Sequence, residues 1–141
     1  MLEPKILLVD DVDYSRQLLR NNIIALANEK LLHHNTFIFF NANCASSAQA
    51  LFALHQPDIV FLDIDLPDGS GIDVLKKFKI SHPQCFIAMV SGESTLVNVK
   101  QCIEAGAATF IAKPFTGDKI QAALRLFEKR LKQNVNSLNS H

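Results

Sequence analysis

Residues 60–71 read VFLDIDLPDGSG: three apolar residues in a row, two carboxylates one residue apart, then Pro67 and two glycines. Consecutive apolar positions mark a strand covered on both faces, and the Pro–Asp–Gly cluster marks its end. Asp63 and Asp65 therefore stand where a buried strand stops, either as an acidic turn or as part of a metal-assisted phosphoryl site. The run begins at Asp58 as DIVFL, and four others share its pattern: ILLV (6–9), FIFF (37–40), CFIAMV (85–90) and TFIA (109–112).

Segments with helical spacing separate these runs. Leu19, Ile23 and Leu26 mark the first, Leu51 and Leu54 the second, Leu75 and Phe78 the third. Leu96, Val99 and Ile103 mark the fourth, and Ile120, Ala123, Leu124, Phe127 and Leu131 the fifth. Asp13 is placed to cap the first helix, Ser46 with Gln49 forms a capping-box pattern for the second, and Gly106 follows the fourth as a stop. Five strand–helix alternations predict one α/β domain over roughly 4–132, a parallel sheet with helices on both faces. The end, NVNSLNSH, reads as unstructured. Residues 133–141 then form a polar tail that either closes a stand-alone protein or begins a linker.

Composition narrows the function classes. The 141 residues are 48% hydrophobic, enough for one core, with ten Phe and no Trp. Fourteen basic and fourteen acidic residues give zero net charge, without the basic excess of a nucleic-acid binder. Five Lys or Arg against two acids over 116–141 fit a solvated helix face. Cys44, Cys85 and Cys102 lie in or beside apolar stretches and read as small buried hydrophobes in a reducing compartment. The start, MLEPKILLVDD, has too short an apolar run for a signal peptide, and no stretch approaches a membrane span. A cytoplasmic, soluble chain is expected.

In open α/β sheets ligands bind beyond the carboxyl ends of the strands, near the point where strand order reverses. Those ends carry Asp10 and Asp11, Asp63, Ser91, and Lys113 followed by Pro114; the end of strand two carries no charge. Two carboxylates 4 Å apart repel by roughly 4 kcal/mol at an effective dielectric of ~20. Lys113 offers one compensating charge, and a hard divalent cation such as Mg²⁺ would supply the rest. One carboxylate would then be free to attack phosphorus, with Ser91 offering a hydroxyl to a phosphoryl oxygen.

LLVDD (7–11), LDIDLPDGSG (62–71) with proline four and glycine eight residues after Asp63, VSG (90–92) and AGAATFIAKPF (105–115) occur in this order. Through them the chain resembles the receiver domain of bacterial two-component response regulators, over about residues 4–130. The resemblance implies a flavodoxin-like, doubly wound five-stranded sheet of order 2-1-3-4-5. It makes Asp63 the phospho-acceptor from a histidine kinase or histidine phosphotransfer protein. Mg²⁺ would be bound by Asp11 directly, by Asp10 through water, by Asp63, and by the backbone carbonyl of Asp65. Lys113 would pair with the phosphoryl group across a cis bond to Pro114. Ser91 would shift toward it, and Phe110 would turn inward as a switch or simply fill the core. A small rearrangement of helix 4, strand 5 and helix 5 would signal to a downstream protein or output domain. Asp65 and Glu93 occupy positions that tune phosphoryl lifetime in the family, or are two solvent-exposed acids without a kinetic role. Gln49 stands where many members have Glu, and NEKLLHHNT makes helix one and its loop longer than usual.

Two rivals follow from the same residues. DID (63–65) imitates the Asp-x-Asp of haloacid dehalogenase-type phosphatases, but there the extra acids follow the lysine, and here Asp10 and Asp11 precede it. A degenerate receiver acting only as an interaction module would not need to keep mutually repelling carboxylates. The oligomeric state, a homodimer included, the kinase and the output are left open by the sequence.

Overall fold

The structure is a computed structural model that describes residues 3–139, with side chains through 134. Five strands alternate with five helices: β1 (Lys5–Val9), α1 (Asp13–Asn28), β2 (Ile38–Ala42), α2 (Ala45–His55), β3 (Ile59–Leu62), α3 (Gly71–Ser81), β4 (Phe86–Ser91), α4 (Leu96–Glu104), β5 (Thr109–Ala112) and α5 (Gly117–Asn139). The strands pair in parallel in the order β2-β1-β3-β4-β5. This is the flavodoxin-like order expected from the sequence. A two-residue ladder joins Asp65–Leu66 to Gly69–Ser70 between β3 and α3.

Each central strand is buried on both sides because its alternate residues serve different helices. Leu7, Val9, Val60, Leu62, Ile87 and Met89 pack with Phe52, Leu75, Phe78 and Cys102 of α2, α3 and α4. Ile6, Leu8, Phe61, Ala88 and Val90 pack with Leu19, Ile23, Ile120, Leu124 and Phe127 of α1 and α5. The two layers cover the faces of the sheet and leave its ends to polar side chains, Lys5 and Asp58 at the amino edge and the acids, serine and lysine described below at the carboxyl edge.

Several local expectations are corrected. β2 lies at the edge as the expected strand order requires, but it is not covered on both faces as its unbroken FIFF run suggested: Ile38 is 38% exposed. Val12, not Asp13, is the N-cap of α1 and makes no side-chain cap bond; Asp13 is the first helical residue. α2 is capped at Cys44, with Ser46 inside the helix. Its first amides go to the Asp68 carboxylate, Ala45 N at 2.6 Å and Ser46 N at 3.0 Å. Leu54 is exposed, and Ala48 and Phe52 fill the core instead. In α4, Leu96 and Ile103 are exposed and Cys102 is the buried residue. α5 does not stop where NVNSLNSH begins but continues to Asn139; Ser140 and His141 lie outside the described residues.

Gly106, with φ +109°, ends α4 in the left-handed region as expected of a stop glycine. Gly71 is needed for a different reason. A Cβ there would sit 1.9 Å from the Asp63 carbonyl oxygen, so α3 starts hard against the end of β3.

Candidate functional site

The carboxyl edge of the sheet gathers Asp10 after β1, Asp63 after β3, Ser91 at the end of β4 and Lys113 after β5. Parallel pairing sets them at one level: Asp63 N donates to Val9 O at 3.1 Å and Lys113 N to Ser91 O at 3.0 Å. Asp10 and Asp63 are both buried, at 7% and 6% exposure. Two buried carboxylates require a counter-charge. Lys113 supplies it, its Nζ donating to Asp10 Oδ2 at 2.6 Å and to Asp63 Oδ2 at 2.8 Å.

The remaining carboxylate oxygens are held by main-chain amides. Asp10 Oδ1 accepts from Val12 N at 2.9 Å, and Asp63 Oδ1 accepts from Asp65 N at 3.2 Å. Burial lowers the pKa of Lys113, but the bonds to Asp10 and Asp63 outweigh it, and the net displacement is upward. The ammonium is therefore fixed in its charged form between the two acids.

Ser91 is fully buried, and its Oγ accepts from Glu93 N at 3.2 Å, which leaves the hydroxyl proton to donate elsewhere. Asp65 and Glu93 are exposed at the rim. The Asp65 side chain, by hydrogen bonding and then by charge, pushes the Glu93 carboxyl above the usual range, with burial and Asp63 adding to the effect. The two rim acids thus face each other. Phe110 is half-buried and packs with the cluster of α2, α3 and α4. The Lys113–Pro114 peptide is cis.

Asp11 is exposed, and the lysine reaches Asp10 and Asp63 rather than Asp11. Among the described residues, no three acid, His or Cys side chains lie close enough to make a ready metal cluster. The residues expected to hold a cation, Asp10, Asp11, Asp63 and the Asp65 main-chain carbonyl, would offer only hard oxygen donors, the chemistry Mg²⁺ accepts. A residue the sequence reading missed is Arg16, whose guanidinium donates to the Asp10 carbonyl oxygen and to the Asp13 carboxylate. Its position one helical turn into α1 is the signal that was available. Asp68, the remote cap of α2, had no local signal.

Residues 6–125 match the family described as response regulator receiver domain. The chain belongs to that family. The receiver is 32% identical to the chemotaxis protein CheY of Bacillus subtilis over 122 residues, 85% of this chain and 93% of that one. It is 28% identical to the sporulation initiation phosphotransferase F of the same organism over 127 residues, 90% of this chain and 95% of that one. Among solved structures, the receiver domain of NtrX from Brucella abortus superposes with a TM-score of 0.73 at 33% identity, over 87% of this chain and 98% of that one.

Membership makes this a receiver domain of two-component signalling, a class that is typically not a true enzyme, generally binds Mg²⁺ and works with histidine kinases or phosphotransfer proteins. No helix among the described residues is long and apolar enough to cross a membrane.

Proposed function

We propose that Asp63 accepts a phosphoryl group from a histidine kinase or phosphotransfer protein, and that the receiver unit comprises residues 4–132. The observation that carries this is the lysine bridge: one ammonium bonded to two buried carboxylates at the switch point of the sheet. A side chain held this way by Asp10 can follow charge from the Asp63 carboxylate onto a group attached to it.

A carboxylate oxygen of Asp63 attacks phosphorus, and the donor's nitrogen or oxygen leaves with the bonding pair. Lys113 stays on Asp10 and pairs with the new phosphoryl oxygens. Ser91 donates its hydroxyl proton to one of them while keeping the Glu93 amide. Asp10, Asp11, Asp63 and the Asp65 carbonyl would hold Mg²⁺, which when bound supplies charge neutralisation for the incoming phosphoryl group. Asp65 and Glu93, at the rim, tune how long the acyl phosphate survives by acting on the attacking water. Hydrolysis at an unchanged rate in Asp65→Asn/Glu93→Gln would remove that role.

Phe110 and the β4–β5 edge carry the change outward to the surface of α4, β5 and α5, where a downstream protein or output domain reads it. The test is incubation with a small phosphodonor, with and without Mg²⁺. The wild type should take one phosphoryl equivalent only with the cation, and Asp63→Asn none. Equal labelling of Asp63→Asn would sink the assignment.

A further inference from the structure

A second feature lies at the opposite end of the sheet, where α1 finishes and α5 extends. There the long α1–β2 loop and residues 125–132 of α5 enclose an open trough of about 900 Å³. Its floor is apolar, made by Leu31, Leu32 and Leu131, and Leu31 is 37% exposed. Its rim carries Lys30, Arg125, Lys129 and Lys132, all exposed and none in an ion pair among the described residues.

The one acid in the lining does not offset them. Glu128 is buried and turned to the loop, where it accepts from His33 N at 3.2 Å, His34 N at 3.0 Å and His34 Nδ1 at 2.7 Å. These three bonds latch the loop to α5 and shape the trough, and they leave its outward field to the four cations. Lys30 adds an independent sign. It ends α1 at φ 58°, with Lys30 N on Ala27 O and Leu31 N on Leu26 O, the position where helices ordinarily use glycine.

We propose that this trough docks an acidic amphipathic helix of a partner protein, away from the phosphoryl site. Apolar side chains of the partner would sit on Leu31, Leu32 and Leu131, and its Asp or Glu residues would meet Lys30, Arg125, Lys129 and Lys132. Charge complementarity selects this occupant. Among the described residues a second copy offers no strongly acidic apolar helix; α4, with Leu96, Val97 and Ile103 exposed, is charge-balanced by Lys100 and Glu104 at 4.0 Å. Nucleic acid suits an apolar-floored trough on a chain of zero net charge poorly. A bilayer needs a protruding apolar face, and this one is recessed.

The probe is a synthetic helix-forming peptide of Glu with Leu at i, i+3, i+4 and i+7, with a scrambled peptide of the same composition as control. Titrated into the isotope-labelled full chain, it should bind saturably and shift amides at 30–34 and 125–132. Lys129→Glu/Lys132→Glu should weaken binding by at least about tenfold, through loss and reversal of rim charge, and leave phosphoryl acceptance at Asp63 unchanged. Lys30→Gly should raise the melting temperature yet weaken the peptide, a combination a purely structural lysine does not give. The proposal is overturned by equal binding of the scrambled peptide, by shifts centred elsewhere, or by charge variants that bind normally. Tighter binding of anionic vesicles or of a DNA duplex at the same residues, or self-association through the trough, would overturn it as well.

Discussion

Replacing Lys113 by methionine removes the one cation between Asp10 and Asp63 and keeps the volume of its stem. The lysine's two bonds, 2.6 and 2.8 Å, set the carboxylate oxygens roughly 5 Å apart at most. At that separation, and at the effective dielectric of ~20 that already contains partial solvent screening, two unit charges repel by about 3 kcal/mol. Loss of one partner from a buried ion pair is of the same order, about 3–5 kcal/mol. Lys113→Met should therefore lose about 3 kcal/mol at neutral pH, read as a lower urea midpoint at constant slope. Added Mg²⁺ should recover more stability in this variant than in the wild type, because a bound cation replaces the missing charge. The decisive sample is Lys113→Met/Asp63→Asn, in which one of the repelling charges is gone. It should regain most of the loss. A double variant as unstable as Lys113→Met alone would refute the reasoning, since repulsion between the two acids would then not be what the lysine relieves.

Gly71→Ala should cost about 3 kcal/mol and impair labelling of Asp63, because the new methyl meets the Asp63 main chain; urea unfolding and phosphodonor assays check it. Lys30→Gly should stabilise by about 1 kcal/mol through relief of the left-handed backbone, seen as a higher urea midpoint. Cys85, pushed up to about 12 by burial, should stay unreactive in the native protein. Cys44, lowered by bonds to Ser46 and Ser47, should be the thiol a disulfide reagent titrates first. Because the folded pKa of Cys85 lies above the unfolded value near 9, its contribution is complete below pH 9 and is lost as pH rises toward 12. That amounts to at most about 4 kcal/mol. Cys85→Ala should flatten the alkaline limb of stability against pH, and an unchanged limb would assign it to other groups.

What could be read in advance depended on whether the deciding interaction was local. The central strands β1, β3 and β4 are covered by helices and read as unbroken apolar runs, so they announced themselves with the acids and serine at their ends; β5 is an edge strand in which only Ile111 is buried, yet TFIA announced it and its lysine as well. β2 used the same alphabet for another purpose. Its Phe residues are half-buried on opposite faces, Phe40 stacked on His55 at 4.0 Å and Phe39 beneath Arg20 at 5.4 Å. Hydrophobicity alone does not separate such an edge from a centre. Spacing failed on α4 because nine residues give too few turns to fix the phase: Leu96 and Ile103 match the period, yet Cys102 faces the core.

The ends of helices were hidden for a related reason. The pattern at Ser46 and Gln49 obeys a rule written within one turn, whereas the amides of α2 go to Asp68, brought in by the ladder after β3. The Asp68 carboxylate across the helix entrance takes two donors and Cys44 Sγ takes Ser47 N at 3.5 Å, which leaves no first-turn amide for the Ser46 hydroxyl. α5 continues past Leu131 by a similar logic. The nucleation cost is met by the packed turns from Ile120 to Phe127, and each further residue needs only propagation. The same economy explains the candidate site. Position on a strand end could be inferred residue by residue, but which acid the lysine chooses is set by the level of four strands together. That choice fell on Asp10 and Asp63 and left Asp11 exposed at the mouth of the site.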